Sequence, residues 1–248
     1  VACGISGVVE VPAARWEVSS FKEQLPELIF SRSRHAAFVL RAELVDNAAF
    51  GVSPAEASAM DPQQRLILEH GYAAMHDAAM ERAALAGSLT GVFLGIAGSE
   101  FSRIVSELPA GDSAYSATGS TVSVACGRLP YVFGLHGPCA SYDTACSAAL
   151  VALHAGLRAL QLSECVAGVV PGMMLMLEPS TSVSFAIAGM TSARGRSHTF
   201  DARADGYARG EACGALALRC DVEGAELALQ GSAVRQDGRS ASLTAPNG

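Results

Sequence analysis

Short apolar runs bounded by glycine recur along the chain. The first, GVFLGIAG from Gly91 to Gly98, has almost no polar position and reads as a strand buried on both faces. Val166 to Leu177 and Ala215 to Arg219 have the same character, and another strand-like run ends just before Cys146. Helical patterns lie between them. Asp61-Pro62-Gln63-Gln64 predicts a helix start, with Asp61 as N-cap, Pro62 at the first helical position and Gln64 closing a capping box; the helix runs to about Met80. A second apolar helix pattern begins directly after Cys146. The first sixty residues mix prolines, arginines and short apolar patches without sustained periodicity, which predicts loops and short elements laid over a core. Strands alternating with helices predict a layered α/β architecture, and no repeat of 20 to 50 residues is visible.

Composition narrows the classes. The 248 residues are 50% hydrophobic, enough for a substantial core. A net charge of -7 with no run of like charges argues against nucleic acid or an anionic membrane surface as partner. The longest apolar stretches, Ala148 to Leu160 and Cys165 to Leu177, are interrupted by His154, Arg158 and Pro171 and are too short to span a bilayer. Seven cysteines, at 3, 126, 139, 146, 165, 213 and 220, contain no Cys-x-x-Cys pair and no tight Cys/His grouping, so no metal site is expected. Their odd number fits a reducing compartment, cytoplasmic or organellar stroma. The chain starts at Val1 without a methionine or a secretory leader and stops on TAPNG, so both ends read as cuts and a fragment is expected.

Cys146 carries the candidate chemistry. In CASYDTACSAALVALHAGLRAL the strand gives way to a turn of small residues and a helix follows the thiol. Unpaired N–H groups and the positive end of the helix dipole favour thiolate there, and Ala145, Ser147, Ala148 and Ala149 leave room for an acyl group. Acyl transfer is the functional reading. A packed cysteine is the alternative, because free Cys is among the most buried residue types.

Seven segments in order resemble the β-ketoacyl synthases of type I polyketide and fatty acid synthases. They are Pro12-Ala13-Ala14-Arg15-Trp16; MDPQQR from Met60; TGSTVSVACGR from Thr118; YVFGLHGP from Tyr131; DTACSAAL from Asp143; FDARADGYARGE from Phe200; and DGRSASLTAPNG from Asp237. The resemblance implies a thiolase-like fold, of which residues 1–248 match the N-terminal half with the first strand truncated. It implies that Cys146 accepts an acyl chain from the phosphopantetheine of an acyl carrier protein, with its own N–H in the oxyanion hole and no cofactor bound directly. It further implies a homodimer, and a substrate wall at Thr118, Gly119 and Ser120.

Condensation then needs decarboxylation of a malonyl-type extender, a step that the family assigns to two histidines and a lysine of the C-terminal half. No such segment occurs in the chain. Its one lysine, Lys22, reads as a solvated charge. His154 lies eight residues along the helix from the thiol, about 12 Å at roughly 1.5 Å per residue, and reads as a packing histidine. His136 and His198 read as loop residues; His35 lies in the first third, and His70 and His76, six apart, share no helix face. Asp205, Arg209 and Glu211 form a charged cluster, read mainly as an Arg209 salt bridge bracing a turn. Asn47, where the family has aspartate, is expected to weaken a local hydrogen bond. Two further readings stand beside the enzyme: a catalytically incomplete dimerisation or carrier-docking module, and a cysteine hydrolase that would need a histidine beside Cys146.

Overall fold

The computed structural model describes residues 6–107, 114–220, 225 and 227–242. The segment DGRSASLTAPNG and the start of the chain lie partly outside these residues.

The first part of the chain forms short elements, as its pattern predicts: β1 (Val8–Glu10), α1 (Ser19–Lys22), α2 (Glu27–Ser33), β2 (His35–Ala37) and α3 (Pro54–Ala59). Then come α4 (Pro62–Asp77), α5 (Arg82–Leu85), β3 (Thr90–Ile96) and the short helices α6 (Phe101–Ser106), α7 (Ser116–Gly119), α8 (Val122–Ala125) and α9 (Arg128–Phe133). β4 (Cys139–Tyr142) leads through a 3-10 turn, Ala145–Ser147, into α10 (Ala148–Gln161). The described chain ends with β5 (Ala167–Met174), α11 (Ser180–Ile187), β6 (Arg209–Gly210) and β7 (Ala212–Arg219).

The central sheet has strand order β4-β3-β5-β7, with β3 parallel to both neighbours and β7 antiparallel to β5. A small sheet, β1-β2-β6, lies apart from it. β3 is buried at every position, which is why its sequence shows a continuous apolar run instead of alternation. Its side chains still divide by face. Val92, Leu94 and Ile96 join the larger apolar cluster with Ile67, Leu68 and Met75 of α4, whereas Phe93 joins Ala152 and Ala159 of α10 on the other side. A helix, the sheet and a second helix thus form three layers, the expected α/β arrangement.

Two details of α4 differ from the sequence reading. Asp61 caps the helix by accepting the Gln63 N–H at 2.7 Å, but Gln64 closes no capping box. The Asp61 N–H donates instead to Gly119 C=O at 2.8 Å, while Gln64 donates to the carbonyls of Thr118 and Thr121 and accepts from Arg128. Tertiary partners override the local motif. The helix also stops at Asp77, short of Met80. Ala79 takes a positive φ of 54°, and the Ala79 and Met80 N–H groups turn back to His76 and Met75 C=O, a Schellman closure carried by alanine where glycine is usual.

Candidate active site

β4 supplies the approach to the thiol. After Tyr142 the chain must turn sharply to enter α10, and three small polar side chains hold that turn. Asp143 accepts the Ala145 N–H at 3.0 Å, and the Ser147 hydroxyl donates to Thr144 C=O at 2.9 Å and meets the Thr144 hydroxyl at 2.9 Å. Ala145 sits at φ 53°, a left-handed conformation that costs a residue with a Cβ of order 1 kcal/mol. That strain lies immediately before Cys146.

The consequence is exposure. Asp143 through Ser147 are all exposed, whereas Ala148 beyond them is 5% exposed. Cys146 is therefore presented, not packed, among the described residues. The neighbouring N–H groups are taken by Asp143 and by Thr144 C=O, but among the described residues no carbonyl accepts the Cys146 N–H. A free donor on the nucleophile's own backbone can meet a carbonyl oxygen as it gains negative charge.

Glycines on the sheet seat the first turn of α10. At Gly95 a Cβ would fall 2.4 Å from Ala149 Cα, and at Gly172 it would stand 3.1 Å from Ala149 Cβ. Any side chain at Gly95 would push the helix start, and the thiol with it, off the sheet.

Tyr207, which the sequence reading did not single out, bridges to Thr191 ahead of β6. Burial raises its phenol above the usual range; the Arg209 charge opposes this and the charge of Cys146 adds to it. Its main chain is fixed by Ser192 N–H on its carbonyl and by its own N–H on Met190 C=O.

No histidine joins Cys146 by a hydrogen bond among the described residues, so the hydrolase reading lacks its base. His154 Nδ1 meets the Ser232 hydroxyl at 2.8 Å. His136 is exposed and held through its N–H on Ser88 C=O. A Cys/His contact does exist elsewhere, His70 Nε2 to Cys213 Sγ at 3.1 Å, where burial raises the thiol. It joins residues 143 apart in sequence, beyond the reach of any spacing rule.

Thr118, Gly119 and Ser120 lie at the end of α7, against α4. Thr118 C=O accepts from Gln64 and Arg128, Gly119 C=O accepts from Asp61, and the Thr118 and Ser120 hydroxyls bond back to Tyr115 and Ser116 C=O. A Cβ on Gly119 would fall 1.9 Å from Ala59 O. Their hydrogen bonds lead to α4, to Arg128 of α9 and back to the start of α7, not to Cys146. The link from this region to the thiol runs one step on, where Ser141 of β4 donates to Val122 C=O at 2.7 Å.

The charged cluster does not pair as expected. Arg209, 8% exposed, makes no salt bridge among the described residues; it lies 5.0 Å from the Phe185 ring centroid and donates to the Ser182 hydroxyl. Its binding groups are on α11, so a turn-bracing pair was the wrong geometry. Glu211 instead pairs with Arg15 at 2.8 Å and accepts the N–H groups of Val39 and Met176, while Asp205 accepts from Ser192. Asn47 keeps a local bond, donating to Val52 C=O at 2.8 Å. Lys22 is exposed at the end of α1. No described helix is long and apolar enough to cross a membrane.

Comparisons with known proteins show the family of the sequence. The family described as Beta-ketoacyl synthase, N-terminal domain, matches residues 1–222. The chain belongs to the β-ketoacyl synthase family. It is 43% identical over 99% of its length to Polyketide synthase GfsB of Streptomyces halstedii, of which it covers 4%. It is 37% identical over 98% of its length to a phenolphthiocerol/phthiocerol polyketide synthase of Mycobacterium tuberculosis, of which it covers 16%. Among solved structures, a ketosynthase from module 6 of the bacillaene synthase of Bacillus subtilis 168 superposes with TM-score 0.75 at 32% identity, over 86% of this chain and 35% of that one. An oxazolomycin ketosynthase domain of Streptomyces albus JA3453 gives 0.76 at 29% identity, over 86% and 37%. The fold is thiolase-like, and the chain spans little more than a third of the solved ketosynthase chains.

Proposed function

We propose that this chain is the nucleophile-bearing, N-terminal portion of a ketosynthase domain that extends acyl chains on a polyketide synthase. The observation that carries the reading is Cys146 itself: exposed, on a strained turn, with its own N–H unpaired. The thiol sulfur attacks the thioester carbonyl of an acyl group carried on the phosphopantetheine of an acyl carrier protein. The carbonyl oxygen gains charge against the Cys146 N–H, the C–S bond to phosphopantetheine breaks, and that thiol leaves with the proton. Substrates arrive on the carrier, so no directly bound cofactor is required.

In the second half-reaction a malonyl-type extender loses carbon dioxide and its carbanion attacks the acyl-Cys146 carbonyl, breaking the C–S bond and expelling the Cys146 thiolate, which takes a proton from water. Developing enolate charge there needs donors, and among the described residues His154 is engaged by Ser232 and His70 by Cys213. A C-terminal half is therefore assigned that task, and a homodimer is the expected assembly. Leu150, 69% exposed one turn beyond the thiol, gives such a half an apolar surface to cover.

The test uses the whole polypeptide that carries this chain. Incubated with an acyl thioester, it should gain one acyl mass on the peptide containing Cys146, and Cys146→Ala should lose both this adduct and chain elongation. Elongation retained by Cys146→Ala would overturn the reading.

A further inference from the structure

A cavity of about 290 Å³ opens where β1, α1 and α2 meet, and none of its lining residues belongs to the Cys146 turn. We infer that it binds a small monocarboxylate, its anionic end on Arg34 and Lys22 and a ring-sized apolar body between Trp16 and Phe30. The inference does not depend on acyl transfer.

The apolar walls are fixed by their own contacts. Val11, 7% exposed at the end of β1, donates its N–H to Arg34 C=O at 2.9 Å. Phe30, 5% exposed on α2, donates its N–H to Pro26 C=O at 3.0 Å. Trp16 meets Phe38 edge to face with ring centroids 6.0 Å apart, which holds the plane of the indole where it lines the cavity. Charge lies directly beside this surface, because the Arg34 guanidinium is 6.0 Å from the Phe30 ring centroid. A volume at the small end of ligand sites leaves room for a ring-sized molecule with one charged group.

The cations of the lining are not spent within the chain. Arg34 Nε is buried and has no hydrogen-bond partner. The Glu10 carboxylate stands 4.0 Å from it, beyond hydrogen-bond length, on a side chain that is 61% exposed. A buried N–H without an acceptor is costly, and an acceptor arriving from outside recovers that cost. Lys22, the one lysine of the chain, also lines the cavity and is in no ion pair among the described residues. The second acid of the lining, Glu17, is occupied: it accepts the Ser19 N–H at 3.4 Å and the Ser19 hydroxyl. The unsatisfied groups are therefore donors, and the ligand that answers them is an anion. One carboxylate oxygen takes the Arg34 N–H and the other takes the compact ammonium of Lys22.

The whole polypeptide that carries this chain would be titrated with para-fluorobenzoate and followed by fluorine NMR, with para-fluorobenzamide as the uncharged analogue of the same shape. The expected result is saturable binding of the acid with a Kd of about 1 mM or tighter, and binding of the amide about tenfold weaker. Arg34→Gln and Lys22→Gln should each weaken the acid about tenfold. Lys22 is exposed, so its variant keeps the fold and keeps the test decisive even where Arg34→Gln destabilises the domain. Glu10→Gln removes a carboxylate that competes for Arg34 and should tighten binding. Absence of saturation up to about 10 mM would overturn the proposal. So would equal binding of acid and amide, or binding of the acid that survives both Arg34→Gln and Lys22→Gln.

Discussion

Gly95 of β3 and Ala149 of α10 are in backbone contact: a Cβ on Gly95 would lie 2.4 Å from Ala149 Cα and 2.5 Å from its N. No rotamer change can relieve that overlap, because both partners are main chain. The helix that follows Cys146 therefore rests on a missing side chain.

Gly95→Ala should destabilise the domain by about 1–3 kcal/mol, the usual cost of overpacking, and should displace the Cys146 turn. Urea midpoints of the carrying polypeptide, with the rate of Cys146 alkylation by iodoacetamide, check both effects. Unchanged values for the pair would show that α10 is not seated there.

Asp61 offers a pH signature. Burial is the largest influence on its carboxyl and raises it above the ordinary aspartate value, although Ser99 and Gln63 donate to it and oppose the shift. A carboxyl raised in the fold holds its proton more tightly there than in the unfolded chain. Its stabilising contribution is complete below the unfolded value of about 3.9 and is lost as pH rises through the folded value. Asp61→Asn keeps a capping oxygen but cannot titrate. Wild type should gain stability relative to Asp61→Asn as the pH falls from neutral to below about 4. A difference in urea midpoints that is flat with pH, or slopes the other way, would refute this.

What could be read in advance was local. The strand run at 91–98, the Asp61 cap and the helix after Cys146 each reveal themselves within a few residues, because periodicity and capping are short-range physics. Gln64 shows the limit. Three residues from a cap it looks like a capping box, yet it serves Arg128, sixty-four positions on. Arg209 was read against the acids beside it in sequence, whereas its ring partner Phe185 and its acceptor Ser182 lie on another helix. Ala145 at φ 53° was equally invisible, since alanine carries no signal for a left-handed turn; only the fold forces it.

The Arg128 network should carry a large share of the stability near Thr118. Arg128 donates to Gln64 at 2.9 Å and to Thr118 C=O, and pairs with Glu56 whose side chain is 24% exposed. Arg128→Met leaves the Glu56 carboxylate and the Gln64 oxygen without their partner, at a cost of about 3 kcal/mol. Adding Glu56→Gln to Arg128→Met should restore part of that loss, because the uncompensated charge is gone. Denaturation midpoints of the two singles and the double measure this, and strict additivity would exclude the coupling.

Arg209→Lys tests the stacking on α11. Lysine keeps the charge but gives up the planar guanidinium that lies over Phe185 and reaches Ser182, so the change should cost about 1–2 kcal/mol. If Arg209 acted only through its charge, lysine would restore the melting temperature fully.

Cys146 should be separable from stability altogether. Its side chain is exposed and its turn is held by Asp143, Thr144 and Ser147, so Cys146→Ala removes no packed atom and breaks none of the turn's bonds. The denaturation midpoint should move by no more than about 0.5 kcal/mol, while the acyl adduct disappears. Asp143→Ala is the converse case: it frees the Ala145 N–H and relaxes the strained turn, so the thiol should remain alkylatable while acylation slows. Measuring alkylation and acylation side by side on both variants distinguishes a positioned nucleophile from a merely accessible one, because only the former depends on the geometry that Asp143 holds.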